Sequence, residues 1–294
     1  FGDSRTSLLF LMIATVINIV LDLVLTITVP MGVAGVALAT IIAQIVSWLF
    51  GVFYINRHYD FINIRPHKFY FQKELFFQAM RLGIPSGIQQ ALFSIGIMFM
   101  QSLVNSYGSS FMAGFNGANK IDTFAFLPVQ SLSNALTTYT GQNIGAGNQH
   151  RVKEGLKASL IMSIGCCIVV GILLYPTSAF MMRMFSQNAE VIDAGVAYLH
   201  GVLPFYFLLA LSNAMAAVLR GAGRSIVPMI VMLCCWCMFR VTYITIAVPI
   251  WPELTTISWA YPITWGLSSI IFLIYYNVVD WVHAYGRSKP RKMA

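Results

Sequence analysis

Long apolar stretches separated by short polar ones dominate the sequence. An α-helix rises 1.5 Å per residue and needs roughly 20 apolar residues to cross the hydrocarbon of a bilayer. A window of that length selects eight stretches: 8–29, 33–55, 84–106, 119–141, 156–176, 194–218, 226–249 and 257–280. The pattern predicts an all-α, polytopic membrane protein with eight transmembrane helices.

A weak internal repeat organises these predicted helices. Residues 1–30 align with residues 220–249 without a gap, and both segments combine a Gly–Arg turn, an apolar span and a proline at the far end. The matched positions include Gly2 with Gly221, Arg5 with Arg224, and Pro30 with Pro249. Related lobes are usual in secondary transporters, whose sites lie between the repeats.

We therefore divide the chain into four parts. Residues 1–55 are the last two helices of a first lobe, 56–83 a cytoplasmic connector, 84–281 a second lobe of six helices, and 282–294 a basic cytoplasmic tail. One face of the connector carries apolar residues beside two cations, which favours a helix lying on the inner membrane surface. The residues are Leu75, Phe76, Ala79 and Leu82, with Lys73 and Arg81. A simple tether between lobes is the alternative.

Composition and charge support the membrane interpretation and orient the chain. The sequence is 58% hydrophobic and 10% charged, whereas about a quarter of the residues of a soluble protein are charged. If the spans alternate in direction, all but three of the 18 Lys and Arg lie on one side, the exceptions being Lys120, Arg183 and Arg240. The positive-inside rule then makes both chain ends cytoplasmic. The net charge of +8 is thus an orientation signal and not a nucleic-acid footprint.

Four charged residues remain inside predicted spans: Asp22, Lys120, Asp122 and Arg240. Each costs roughly 2.5–3.5 kcal/mol at the centre of a bilayer, so such residues are paired or functional. The five cysteines also lie inside predicted spans, where we expect them to be small packing residues and not metal ligands. We expect no cofactor.

Depth arithmetic places the first of these charges in a polar cluster. Asp22 and Thr40 each lie about 10 Å from the outer ends of adjoining spans, and Asn18 and Gln44 lie about 16 Å from them. Residues four apart share a helical face, so the four side chains form two facing rungs. Oxygen ligands around a carboxylate suit a hard cation such as sodium, and the same carboxylate could instead carry a proton. Hydrogen bonding between the helices alone is the alternative.

A second polar group lies in the predicted second lobe. Lys120 and Asp122 are two residues apart and do not share a helical face, so each needs a partner on another helix or a cavity. We expect Arg240 to be the counter-ion of Asp122. The same candidate substrate site or C-lobe polar network includes Gln89, Gln90 and Tyr139. Aromatic and methionine side chains adapt to substrates of varied shape, so we expect the substrate cleft to be lined by Met98, Met100, Phe124, Phe126 and Tyr139. A closed, neutral network and ordinary packing are the alternatives.

Several segments together resemble one transporter family. They are GDSRT at 2–6, NIVLD at 18–22, MGVAGVALAT at 31–40, GIPSG at 83–87, LPVQSLSNALTTYTGQNIGAG at 127–147 and LRGAGRS at 219–225. In this order and spacing, the chain resembles the multidrug and toxic compound extrusion (MATE) transporters over essentially its whole length.

The resemblance implies a fold and a function. It implies two six-helix lobes that export organic cations, drugs or other amphipathic compounds by alternating access, driven by protons or sodium, in a bacterial-type cytoplasmic membrane. By the same resemblance, this chain supplies family helices five to twelve, and the first four are needed from elsewhere. The family's cation site matches Asn18, Asp22 and Thr40, but its Asp on helix one is absent. Phe93 stands where many members have a Glu.

Three other functions are weighed against this one. A lipid-linked saccharide flippase of the same superfamily would need a cationic cavity, whereas two Asp balance Lys120 and Arg240 inside the predicted spans. An inactive fragment is a second alternative. An intramembrane enzyme is disfavoured, because the sequence has no HExxH motif and we expect no Ser/His pair at one depth.

Overall fold

The computed structural model describes residues 4–58, 71–105, 108–251 and 253–279, and within these ranges the regular structure is entirely helical. The helices are α1 (Ser4–Leu23), α2 (Val33–His58), α3 (Lys73–Asn105), α4 (Ser109–Gly145), α5 (Gln149–Arg183), α6 (Ala189–Val202), α7 (Tyr206–Gly221), α8 (Ile226–Met232), α9 (Arg240–Ala247) and α10 (Leu254–Val278). Two π-helical segments and one 3₁₀ turn join some of them end to end.

Within the described residues, seven helical segments are long and apolar enough to cross a membrane. They correspond to seven of the eight predicted spans, and the prediction of an all-α polytopic membrane protein is confirmed. The remaining prediction, 119–141, lies inside the 37-residue helix α4. This helix is long enough to span a bilayer, but Asn119, Lys120 and Asp122 lower its hydropathy.

The third predicted span begins earlier than expected. Helix α3 is continuous from Lys73 to Asn105, so the amphipathic residues that we placed in a separate surface helix form its first turns. These turns are rich in Leu, Glu, Gln, Ala, Met and Arg, which favour helix. The helix continues through Pro85, since proline is tolerated in membrane helices when other groups satisfy the freed carbonyl. Residues 59–70 and the predicted tail at 282–294 lie outside the described residues.

The chain forms two compact units, residues 1–72 and 73–294. In the first unit, α1 packs along α2. The buried face of α2 consists of Gly35, Ala39 and Ala43, which are spaced four residues apart and therefore share one face. A Cβ atom at Gly35 would lie 3.0 Å from the carbonyl oxygen of Leu25. Small residues thus bring the two helices close together, as they do in other membrane proteins.

The two π-helical segments border charged residues inside the predicted spans. Val24–Thr28 continues α1 shortly after Asp22, and Leu233–Phe239 joins α8 to α9 directly before Arg240. A π-helical turn contains one residue more than a regular turn, and such turns occur often at functional sites. Hydropathy gives no sign of either segment.

In the second unit, α4 is the central helix and packs against α5, α6 and α7, while α10 packs against α6 and α7. Glycines allow this close packing. A Cβ atom at Gly114 of α4 would lie 2.8 Å from the carbonyl oxygen of Val191 on α6. The buried side chains of α7 are mostly small, including Ala210, Ala214, Ala216 and Ala217. This tightly packed core fixes the positions of the helices that surround a cavity.

Candidate functional site

The second unit contains a cavity of about 520 Å³. Its wall comes from α3, α4, α7, the second π-helical segment, α9 and α10. Aromatic residues form much of the wall: Phe93, Phe115, Phe126, Tyr206, Trp236, Tyr261 and Trp265. The polar lining residues are Gln101, Asn116, Asn119, Lys120, Asp122, Thr123, Gln130 and Arg240. An apolar cavity with a few converging polar groups is typical of a small-molecule site.

Asp122 is held by two tyrosines from other helices. The hydroxyl of Tyr198 on α6 donates a hydrogen bond to Oδ2 at 3.2 Å, and the hydroxyl of Tyr206 on α7 donates to Oδ1. Both tyrosines are almost completely buried. Hydrogen bonds to an ionised carboxylate are roughly twice as strong as neutral ones. The two phenols therefore hold both carboxylate oxygens at the cavity wall.

Arg240 is a buried cation whose hydrogen bonds and ring contacts within the described residues are all to uncharged groups. The side chain is 8% exposed, and its Nη2 and Nε donate to the Thr264 hydroxyl at 2.6 and 3.3 Å. Its guanidinium carbon lies 4.2 Å from the centre of the Tyr261 ring and 5.7 Å from that of Trp236. Arginine over aromatic rings is stabilised by a cation–π interaction, most strongly where water is excluded.

The expected ion pair between Asp122 and Arg240 is absent. Both residues line the cavity, but within the described part of the chain the two side chains form no salt bridge. The prediction of Arg240 as the counter-ion is therefore wrong. The reason is that the phenols of Tyr198 and Tyr206 satisfy the carboxylate, while Thr264 and the aromatic rings satisfy the guanidinium.

Lys120 also lines the cavity, and its side chain is exposed. As predicted from their spacing, Lys120 and Asp122 do not pair: among the described residues, no salt bridge joins them. The structure thus brings three of the predicted residues, Lys120, Asp122 and Arg240, to one cavity.

The other predicted residues of this group lie elsewhere. The amide of Gln89 donates to the sulfur of Met232 at 2.8 Å in a buried contact, whereas Gln90 is exposed. The ring of Tyr139 packs on Gly155 of α5, where even one added Cβ would clash with it. None of the three lines the cavity. Gln89 and Tyr139 pack against neighbouring helices, whereas Gln90 is exposed.

The candidate cleft residues divide in a similar way. Met100 and Phe126 line the cavity, whereas Met98 and Phe124 are 71% and 65% exposed on the outer surface of their helices. Phe93, at the position where the resemblance leads us to expect a Glu in many members, also lines the cavity and packs edge-to-face on Trp236 with ring centres 5.3 Å apart. The cavity wall therefore carries an aromatic ring at this position and not a carboxylate.

In the first unit, the structure brings together the two helices that carry the predicted polar rungs. The amide nitrogen of Asn18 donates to the Thr40 hydroxyl at 3.4 Å, and this hydroxyl donates to the carbonyl oxygen of Val36 at 3.0 Å. Asp22 is half-buried, and its Oδ1 is a buried oxygen without a hydrogen-bond partner among the described residues. Gln44, like Thr40, is exposed.

The Asp22 cluster has the chemistry of a site for a small cation. A buried acceptor without a donor is costly, and such groups call for an explanation such as an ion. Carboxylate, amide and hydroxyl oxygens are the ligands that a hard cation prefers. The donor set of Asp22, Asn18 and Thr40 therefore fits sodium, and the carboxylate alone fits a proton.

One Ser/His pair was not expected and is present. Ser178 of α5 and His200 of α6 lie with Oγ and Nε2 3.0 Å apart, so the expectation that no such pair shares one depth is wrong. The same Nε2 lies 3.1 Å from the carbonyl oxygen of Tyr175, and the His200 ring stacks on the Tyr175 ring. Ser178 is only 2% exposed. The pair therefore joins two helices, and neither residue lines the cavity.

The tyrosines that hold Asp122 are not among the residues predicted from the sequence. Tyr198 and Tyr206 lie on either side of the 3₁₀ turn Leu203–Phe205, which interrupts one predicted span. Tyrosines inside a transmembrane span could have been read as hydroxyl donors, because a buried tyrosine usually finds a hydrogen-bond partner. Their direction depends on the turn at Pro204, which the hydropathy pattern does not reveal.

Taken together, the fold and the cavity define a multi-pass helical membrane protein with a ligand-sized site in one unit. Residues 85–245, more than half of the chain, match the MatE family, and the chain belongs to this family. It is 28% identical over 292 residues to the probable multidrug resistance protein YpnP of Bacillus subtilis, covering 99% of this chain and 63% of that protein. It is 27% identical over 237 residues to the probable multidrug resistance protein NorM of Thermotoga maritima, covering 78% and 50% respectively.

Solved structures show the same fold. The chain matches the crystal structure of MATE in the straight conformation with a TM-score of 0.87 at 20% identity, covering 98% of this chain and 64% of the other. The chain thus spans less than two thirds of the length of these relatives. The family match confirms the MATE resemblance, and the structural match confirms the helical membrane fold.

Proposed function

We propose that this chain is part of a cation-coupled antiporter that exports drugs or other amphipathic compounds from the bacterial cytoplasm by alternating access. The export of drugs is proposed from the relatives, which are probable multidrug resistance proteins. The transporting unit in this proposal includes counterparts of the first four family helices, lies in the cytoplasmic membrane, and has both ends of this chain on the cytoplasmic side. Such a protein is a transporter and not an enzyme.

The observation that carries the coupling proposal is the unpartnered carboxylate oxygen of Asp22. It lies one helical turn from Asn18, which contacts Thr40 on the neighbouring helix. A sodium ion at Asp22 would gain ligands from both helices, and a proton would remove the charge from the apolar surroundings. Either event would change the free energy of the arrangement of α1 and α2.

The coupling in this proposal is reciprocal. A cation shifts a conformational equilibrium only by its difference in affinity for the two states. If occupancy of Asp22 favours the state that binds substrate weakly, bound substrate must weaken cation binding by the same factor. Inward movement of the cation down its gradient would then drive outward movement of the substrate.

The test is dye efflux from liposomes that contain the complete transporting unit, with sodium and proton gradients imposed separately. Asp22→Asn should reduce gradient-driven efflux at least about tenfold, because it removes the titratable, charged ligand. Asp193→Asn is the matched control, since Asp193 is an exposed acid on α6 that does not line the cavity. Efflux by Asp22→Asn at the rate of the unmodified protein, under both gradients, would contradict the proposal.

A further inference from the structure

We propose that the cavity of the second unit binds the anionic head group of a drug-sized organic compound, such as a carboxylate on an aromatic body. This inference rests on the proposed function, because it names a substrate class for the exporter. It differs from the organic cations that the resemblance implies.

The charges of the cavity wall favour an anion. Lys120 and Arg240 supply two positive charges, and among the described lining residues Asp122 is the only acid. A charge in a site of low dielectric acts much more strongly than in water. The wall therefore carries a net positive charge that a bound anion would neutralise.

The single acid is already engaged. Both oxygens of Asp122 accept hydrogen bonds from the buried phenols of Tyr198 and Tyr206. Each oxygen therefore keeps only one of its two acceptor positions for a bound organic cation. An anion meets no such restriction at the two cations, because Arg240 bonds to an uncharged hydroxyl and Lys120 forms no salt bridge within the described residues.

The side chains of the cavity wall also have more hydrogen-bond donors than the hydrogen bonds they make. The Lys120 ammonium has three donors, and the Arg240 guanidinium has five, of which two reach Thr264. A carboxylate offers the acceptors that these groups lack.

The rest of the wall suits an aromatic body. Trp236 and Trp265 lie with ring centres 6.3 Å apart, and Tyr261 lies 5.8 Å from Trp265. Such rings prefer edge or offset contacts with other aromatic groups. The cavity volume of about 520 Å³ also lies in the range of roughly 300–1,000 Å³ that is usual for drug-sized ligands.

The experiment compares two xanthene dyes of similar shape and opposite charge. Fluorescein (anionic) and rhodamine 6G (cationic) are titrated into the purified protein, and binding is followed by fluorescence anisotropy at constant ionic strength. We expect fluorescein to bind at least about tenfold more tightly, because the wall charges attract one dye and repel the other. Equal or tighter binding of rhodamine 6G would overturn the inference.

Two variants and a control locate the binding. Lys120→Gln removes an exposed cation with no salt bridge and should weaken fluorescein binding about tenfold, the factor of one lost charged contact. Lys153→Gln is the matched control, because Lys153 is exposed on α5 and does not line the cavity. Arg240→Lys, which keeps the charge, should lose less affinity than Arg240→Gln. Equal fluorescein affinity in the two Lys→Gln variants would place the dye elsewhere and contradict the inference.

A further comparison separates this inference from the proposed function. The gradient-driven efflux of Asp22→Asn tests the antiport proposal, whereas fluorescein binding to the protein with Asp22 intact tests this inference. If efflux of a cationic dye depends on Asp22 while fluorescein does not bind, the antiport proposal stands and this inference fails. An anionic lipid offers the same head-group chemistry, so short-chain phosphatidylglycerol is added as a competitor. Its displacement of fluorescein at lower concentration than a soluble aromatic carboxylate would assign the cavity to lipid and overturn the inference.

Discussion

The two polar clusters of this protein differ in whether their charged side chains have hydrogen-bond partners. In the second unit, Asp122 and Arg240 each have neutral partners, namely phenols, a hydroxyl and aromatic faces. In the first unit, Asp22 keeps a buried oxygen without a partner, beside one long contact between Asn18 and Thr40. The Asp122 carboxylate is held in place by protein donors, whereas the unpartnered oxygen of Asp22 can gain or lose an ion. The comparison therefore supports the proposed separation of a binding region from a coupling region.

The largest effect on stability should come from Asp122→Leu. This substitution leaves the buried hydroxyls of Tyr198 and Tyr206 without an acceptor, at about 1–3 kcal/mol for each. We expect a clear fall in the apparent melting temperature in detergent, measured by the intrinsic fluorescence of the protein. Tyr198→Phe combined with Tyr206→Phe and Asp122→Leu should recover part of the loss. A melting temperature equal to that of the unmodified protein would mean that the phenols do not depend on Asp122.

Asp22→Asn should have the opposite profile. It removes a charged oxygen that lacks a partner, so we expect an unchanged or slightly higher melting temperature together with the loss of gradient-driven efflux. Stabilisation with loss of activity is common when a functional group is unfavourable for folding. A loss of stability as large as that of Asp122→Leu would show that Asp22 is a structural residue, which would remove the contrast between the clusters.

Tyr206→Phe should have an intermediate effect. It removes one donor to Asp122 and keeps the ring contact with Trp265. The expected cost is about 1.5–3 kcal/mol, the range for a hydrogen bond to a charged group. The same measurement on Asp122→Asn and on the double variant forms a double-mutant cycle, which isolates the pair. Strictly additive losses would show that the two side chains do not stabilise each other.

Asn18→Ala should cause a smaller loss of stability than Asp122→Leu or Tyr206→Phe. Its bond to Thr40 is long, at 3.4 Å, and is not buried, so we expect a loss at or below about 1 kcal/mol. If Asn18 is a sodium ligand, however, the sodium concentration for half-maximal efflux should rise, while a proton-driven rate should change little. This variant therefore tests which ion uses the cluster.

The sequence predicted the fold and part of each cluster for physical reasons that can be stated. Hydropathy marks spans because a bilayer requires long apolar helices. Equal depth, from the regular rise of a helix, placed Asp22 level with Thr40 and Asn18 level with Gln44. The observed contact joins Asn18 to Thr40 instead, so depth identified the two facing helices but not their register. The predicted pairing of Asp122 with Arg240 was wrong because depth and charge do not determine the direction in which a side chain points. The phenols of Tyr198 and Tyr206 were missed because a 3₁₀ turn sets their orientation. Gln89 and Tyr139 were predicted to belong to the substrate site, but their side chains pack against neighbouring helices instead.

The π-helical segments after Asp22 and before Arg240 contain wide turns, which would allow part of a helix to rotate without unfolding. A regular helix advances about 100° per residue. Converting a wide turn to a regular one moves the surplus residue along the chain, so the side chains on one side of it swing by about that angle while their hydrogen bonds are exchanged and not lost. A side chain inside the membrane could thereby be presented to a different neighbour, and no flexible hinge would be needed.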